Sequence, residues 1–211
     1  MDIQSGKRIA VLISGSGTNL QALIDARLPV AFVLSNRKAA YGLQRAQLAN
    51  IPTEVCSLVA HAKEHPGSTR AEYDALLAHK VLSVKPDIVV LAGFMHILSE
   101  YFLDPFVKQN VRILNLHPAL PGAFDGAHAI QRAWEAAQEG KIDKTGVMVH
   151  EVVKQVDRGR PLLVTEIACS AGESLEELEV RIHKVEHEIL VQAVKMALIE
   201  MDDTTKISDL A

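Results

Sequence analysis

Arg8-Ile-Ala-Val-Leu-Ile-Ser-Gly-Ser-Gly-Thr-Asn-Leu-Gln-Ala-Leu-Ile-Asp25 is the stretch on which the fold turns. It opens with an apolar run of strand length, passes through a glycine-rich turn, and ends with Leu20, Leu23 and Ile24 at helical spacing. Strand, tight turn and helix in that order start a parallel α/β unit, whose strands are buried on both faces and read as continuous apolar runs. The same grammar continues outward. Val30–Ser35 is a second buried strand, followed by a helix near Gly42–Ala49, a short strand near Thr53–Leu58 and a helix across Thr69–Val84. Asp87–Ala92 and Arg112–Leu116 are two more strands with a helix between them.

After a helix over Ala127–Gln138 the pattern changes. Gly146–Val153 and Pro161–Ile167 are joined by the turn Val156-Asp-Arg-Gly-Arg160, which predicts an antiparallel portion of the sheet. A long amphipathic helix, Ser174–Ile199, closes the pattern, and Ser174 with Glu177 forms the capping box that starts it. Met201–Ala211 is polar and is expected to be loose. With no repeat or composition break, one domain over 1–211 is expected, its core at about 8–198.

Composition narrows the function. The 211 residues are 48% hydrophobic, 23% charged and 4% aromatic, so aliphatic side chains must fill the core. A formal net charge of −4 argues against a nucleic-acid binder, which would carry a basic face. An anionic small molecule would need local backbone donors or a few Lys and Arg residues instead. Cys56 and Cys169 fit no metal or redox spacing and read as reduced thiols of a cytoplasmic protein. The N-terminal apolar run is too short for a signal peptide, and nothing reaches membrane-spanning length.

Three constellations could carry chemistry. Ser14-Gly-Ser-Gly-Thr-Asn19, between strand and helix, offers backbone N–H groups as an anion cradle, or is a plain strand–helix turn. The dinucleotide fingerprint fails at Leu20, and Ser35-Asn-Arg37 replaces the acidic residue that fingerprint requires, which disfavours a dinucleotide oxidoreductase. Asn115-Leu-His117 ends a buried strand, and alternation puts the carboxamide and the imidazole on one side. Such a pair can stabilise an oxyanion and relay a proton, or be two satisfied polar residues. Asp157 either caps its own turn or, if the fold brings it to His117, raises that ring's pKa. His61–His65 and His183–His187 both read H-x-x-E-H, but Pro66 interrupts the first and the second suits a solvated helix face, so no metal is expected.

Taken together, Ile13–Gln21, Pro86–Met95, Leu114–Pro118 and Val156–Pro161 resemble the phosphoribosylglycinamide formyltransferases from about Arg8 to Leu198, and Leu116–Gly126 is worded like fungal members. The resemblance implies a Rossmann-like formyltransferase fold, mostly parallel with an antiparallel C-terminal portion and helices on both faces. It implies formyl transfer from the cosubstrate 10-formyltetrahydrofolate to the amine of 5'-phosphoribosylglycinamide. Asn115, His117 and Asp157 match the family's catalytic trio. Gly17, Thr18 and Asn19 would hold the phosphate, and His183 and Glu186 would contact the ribonucleotide. Arg70 and Met95, His96, Ile97 and Leu98, with Asn115, would line the folate site, and Val153, Lys154, Gln155, Val156 and Asp157 would close over the pterin.

Met148 stands where bacterial relatives often have Ser, His96 where they often have Arg, and Ala123 where Lys is common. Methionyl-tRNA formyltransferase and formyltetrahydrofolate hydrolase share the trio but would add domains that these residues do not include. A non-catalytic nucleotide-binding module would lack a competent trio. Small-molecule substrates, no nucleic acid, no membrane and a monomer or weak homodimer are expected.

Overall fold

The computed structural model describes residues 6–170 and 172–208. The opening apolar run forms β1 (Ile9–Ile13), with all five residues buried, and the glycine-rich turn leads into α1 (Thr18–Asp25). Then follow β2 (Val30–Ser35), α2 (Gly42–Leu48), β3 (Thr53–Val55), α3 (Leu58–Glu64), α4 (Arg70–Leu82), β4 (Ile88–Leu91), α5 (Glu100–Lys108), β5 (Arg112–His117) and α6 (Ala129–Gln138). The antiparallel end is built from β6 (Lys144–Glu151) and β7 (Pro161–Ala168), and α7 (Leu175–Ser208) closes the fold.

One sheet holds the strands in the order β3-β2-β1-β4-β5-β6-β7. The first five positions pair in parallel, while β5–β6 and β6–β7 are antiparallel, so the mixed α/β architecture matches the sequence-based expectation. Strand alternation splits the core into two layers. Ile9, Val11 and Ile13 face α1 and α7 through Leu20, Leu23, Ile182 and Leu190. Ala10 and Leu12 face the other side, against Tyr73 and Leu77 of α4 and Phe102 and Phe106 of α5. Chain order reverses between β1 and β4, and a crevice for ligands forms beyond the carboxyl ends of strands at such a switch point. There the two following loops meet: the Gly93 carbonyl accepts from the Ser14 N–H, and Ser14 Oγ accepts from the Met95 N–H at 2.7 Å.

Two boundaries differ from expectation. The strand expected to reach Leu58 stops at Val55, because Ser57 caps a short helix, its Oγ accepting from the Ala60 N–H. That helix stops at Glu64, just before His65 and Pro66. The tail expected to be loose from Met201 is instead helical to Ser208, with 209–211 outside the described residues. Residues 201–208 contain neither Gly nor Pro, the two residues that interrupt a helix most strongly, so nothing in them forces α7 to stop at Met201. Among the described residues, no helix is long and apolar enough to cross a membrane.

The capping box forms as read. Glu177 Oε2 accepts from the Ser174 N–H and Oγ–H, and the Glu177 N–H returns a bond to Ser174 Oγ at 3.2 Å. Ser174→Ala should therefore cost about 1 kcal/mol of unfolding free energy, read as a lower denaturant midpoint at unchanged slope.

Candidate active site

Strand β5 sorts its side chains by alternation. Leu114 and Leu116 enter the core layer beneath α1 and α7, whereas Asn115 and His117 continue the opposite face, where Ile113 is the last core residue. Antiparallel pairing sets His150 across from Asn115 and Met148 across from His117. The chain then turns back between β6 and β7, and that turn brings Asp157 over the pair. Asp157 adopts φ +54°, a left-handed conformation that Asp tolerates better than most residues. Beside it, a Cβ at position 159 would lie 1.5 Å from the Glu151 carbonyl oxygen, so only Gly159 lets the turn close this tightly.

The three residues expected to act together do meet. Asn115 Nδ2–H donates to Asp157 Oδ1 at 3.3 Å, and His117 Nδ1 lies 3.6 Å from Asp157 Oδ2. That second oxygen also accepts from the Gly126 N–H at 2.8 Å. Side-chain exposure is 5% for His117 and 8% for Asp157, so solvent screens this pair little. His117 Nε2 is buried and has no partner in the protein.

Burial pushes the Asp157 carboxyl up, but His150, the Gly126 amide and His117 outweigh burial and hold it below its ordinary value. His117 moves downward. Desolvation dominates, Asp157 and Asp125 oppose it, and His150 adds to it. Asp157 thus favours the charged ring as expected, yet burial outweighs it and holds the ring's pKa below the ordinary value.

The glycine-rich turn places Gly17 at φ +71°, directly before α1. A Cβ there would lie 2.5 Å from the Gly42 Cα, so the turn needs glycine for conformation and for the close approach of α2. Asn19 Nδ2–H, on α1, donates to Glu186 Oε2 of α7 at 3.2 Å, and both side chains are buried. Desolvation raises the Glu186 carboxyl above its ordinary value, against the opposing pull of Asn19 and His183. Asn19 Oδ1 is buried without a protein partner. His183 is exposed one turn away, and Thr18 is half-buried at the helix start.

The remaining candidates line the same edge of the sheet. Met95 and Ile97 are exposed, Leu98 is buried, and His96 turns inward onto Asp74. Arg70, the first residue of α4, donates from Nη2 to the Ile97 carbonyl at 2.8 Å. Val153 and Val156 are exposed, Gln155 accepts through its carbonyl from the Arg158 N–H, and Lys154 Nζ lies 3.6 Å from Asp104. Of the H-x-x-E-H motifs, the first spans the end of α3, and the second turns Glu186 inward to Asn19. Among the described residues, no group of three or more His, Cys, Asp and Glu is placed to hold a metal ion.

Sequence reasoning missed His150 and Asp125. His150 Nε2 lies 3.1 Å from Asn115 Nδ2 and 3.4 Å from Asp157 Oδ1, with its Nδ1 against the Glu151 carbonyl. The available signal was alternation along β6, where His150 shares a face with Met148. Asp125 pairs with Arg158 at 2.6 Å and ties the loop after β5 to the turn that bears Asp157. That pair spans two loops and had no local signal.

With this geometry in view, comparison with known proteins is informative. The sequence profile of the formyl transferase family matches residues 7–194. The chain is 52% identical over 201 residues to phosphoribosylglycinamide formyltransferase of Schizosaccharomyces pombe, covering 91% of this chain and 97% of that one. It is 38% identical to the Escherichia coli protein of the same name, covering 86% and 82%. Among solved structures, glycinamide ribonucleotide transformylase 1 from Symbiobacterium toebii superposes with a TM-score of 0.82 at 35% identity, covering 95% of this chain and 90% of that one.

The buried ring has a consequence for stability. Because the folded state lowers the His117 pKa below its ordinary 6.5, the unfolded chain binds the proton more readily below that pH. The contribution is complete above about pH 6.5 and is lost as pH falls toward the folded-state value. Chemical denaturation at about pH 7.5 and about pH 5.5 should show a stability loss that shrinks in His117→Asn, by at most about 1.4 kcal/mol per pH unit.

Proposed function

We propose that this chain, which belongs to the formyl transferase family, transfers the formyl group of 10-formyltetrahydrofolate to the amine of 5'-phosphoribosylglycinamide. The products are formylglycinamide ribonucleotide and tetrahydrofolate, a step of purine biosynthesis. The observation that carries this reading is the buried Asn115–His117–Asp157 arrangement with His117 Nε2 unpartnered, in a chain so similar to enzymes of that name.

The chemistry follows from those atoms. The amine nitrogen bonds to the formyl carbon, and negative charge grows on the formyl oxygen. Asn115 Nδ2–H and a protonated His117 Nε2–H are donors of the kind that such charge requires. Burial leaves the resting ring short of a proton, while Asp157 at Nδ1 favours the charged form. The proton that the attacking nitrogen must shed can therefore be taken up as the oxyanion forms. The carbon–nitrogen bond to the folate then breaks, and the departing nitrogen takes a proton. Asp157 holds the ring and its tautomer throughout.

For binding, the reading assigns the ribonucleotide phosphate to the N–H groups at Gly17, Thr18 and Asn19 and the ribose side to Glu186 and His183. The folate is assigned to the surface of Arg70, Met95–Leu98 and Val153–Asp157. Exposed Met95, Ile97, Val153 and Val156 suit an apolar heterocycle. In this reading the protein works in the cytoplasm on small molecules, as a monomer or weak homodimer.

Incubation with both substrates should yield the formylated amine, read by mass. Formate without formylated amine would instead indicate hydrolysis, and no turnover would indicate a binding module. His117→Ala and Asp157→Asn should each lower kcat by about 10²–10³-fold with the fold retained by circular dichroism. Turnover like that of the unaltered protein in either variant would overturn the assignment.

A further inference from the structure

Between β4 and α5, residues 92–99 alternate in a way that the trio does not explain. Met95 and Ile97 stand out at 65% and 62% exposure, while between them the His96 side chain is 7% exposed and points into the protein. There His96 Nε2 meets Asp74 Oδ1 at 2.6 Å, and the Asp74 side chain is fully buried. The ring is packed edge-on against Tyr73, with centroids 5.3 Å apart, and against Phe94 at 6.1 Å.

Asp74 serves two points of the same segment. Its second oxygen accepts from the Ser99 N–H at 2.9 Å, at the start of α5, where the Ser99 side chain itself makes no capping bond. Burial raises the Asp74 carboxyl, and the bonds from His96 and Ser99 outweigh burial and hold it ionised. Arg70, one turn earlier on α4, adds its bond to the Ile97 carbonyl and lies 3.5 Å from His96 Nδ1. The first turns of α4 thus grip residues 96, 97 and 99 in succession, and Ser14 Oγ grips the Met95 N–H. A buried carboxylate makes this grip stiff, since every donor it loses leaves an acceptor away from water.

We propose that His96, acting through Asp74, is a positioning residue that sets the conformation of Met95–Leu98 and thereby the affinity for the folate cosubstrate. This rests on the assignment of Met95–Leu98 to the folate surface made above. The imidazole touches neither reacting atoms nor ribonucleotide; it fixes the backbone whose exposed face receives the cosubstrate. Arg at this position would supply the same donor to Asp74 from a longer side chain.

Steady-state kinetics with each substrate varied, on His96→Ala, His96→Arg and Asp74→Asn, test this directly. His96→Ala should raise KM for 10-formyltetrahydrofolate about tenfold, with a smaller change in kcat and in KM for the ribonucleotide. His96→Arg should recover most of that loss. Asp74→Asn, which keeps an acceptor for Ser99 and His96 but removes the charge, should fall between them. Equal loss for both substrates, or His96→Arg no better than His96→Ala, would overturn the proposal. Hydrogen exchange of the unliganded protein supplies a readout independent of turnover. Amides of 95–99 should exchange faster in His96→Ala while those of α4 do not, and unchanged exchange would overturn the proposal even if the unaltered enzyme transfers no formyl group. Absence of transfer by the unaltered enzyme would count against the function assigned above instead.

Discussion

A carboxylate withdrawn from water must find donors, and Asp157 finds them on three separate segments. Asn115 comes from β5, the Gly126 amide from the loop beyond β5 and the His150 ring, a donor at Nε2 when protonated, from β6, with His117 completing the ring of partners. No single element could provide this set. The antiparallel return of β6 and β7 exists to carry one acidic residue back over the end of a parallel strand, and the sheet's change of direction is the means. Around it, Glu151 binds Arg112 of β5 and Arg160 of the same turn, which anchors the turn on both sides. Glu151 is held ionised because these two guanidinium groups outweigh the effect of burial. Removing any donor leaves charge unsatisfied in a place that water reaches poorly, so the turn has few alternatives of similar energy.

The same logic recurs at the other two corners of the edge where ligands would bind. Asp74 gathers His96 and Ser99, and Glu186 gathers Asn19, each from a different stretch of chain. Each acidic side chain is buried, and each ties together parts of the chain far apart in sequence: Asp74 the segment before α5 to α4, and Glu186 the start of α1 to α7. Their titration differs with their partners. Asp157 and Asp74 are pulled down by several donors, whereas Glu186, with one amide and a solvent-exposed His183, stays raised by desolvation. The edge is therefore organised by long-range polar contacts laid over an aliphatic scaffold.

That division explains what was legible beforehand. The aliphatic runs of β1, β2, β4 and β5 have the period and length of buried strands, and local signals suffice to find them. Asn115 and His117 were legible as a pair because alternation is a local rule. Asp157 was legible only as a turn residue, since nothing local reveals which strand end a turn will cover. His150, Asp74 and Asp125 were missed for the same reason: their roles depend on register and on contacts between residues 22 to 35 positions apart. The helical stretch beyond Met201 is not legible from composition, because Asp, Thr and Ser are weak helix formers and the helix continues there from a long upstream segment without Gly or Pro to interrupt it.

Strand β7 closes the sheet at its outer side, next to β6. It is eight residues long and half-exposed, with Val164 facing outward, and an outer strand of that length offers its unpaired backbone to any similar strand of another molecule. Pro161 at its start removes a donor, and the Glu166–Lys144 ion pair puts charge near its far end. The strand that brings the aspartate back over β5 is thus also an outer edge of the sheet, blunted at its start by Pro161 and toward its far end by the Glu166–Lys144 pair.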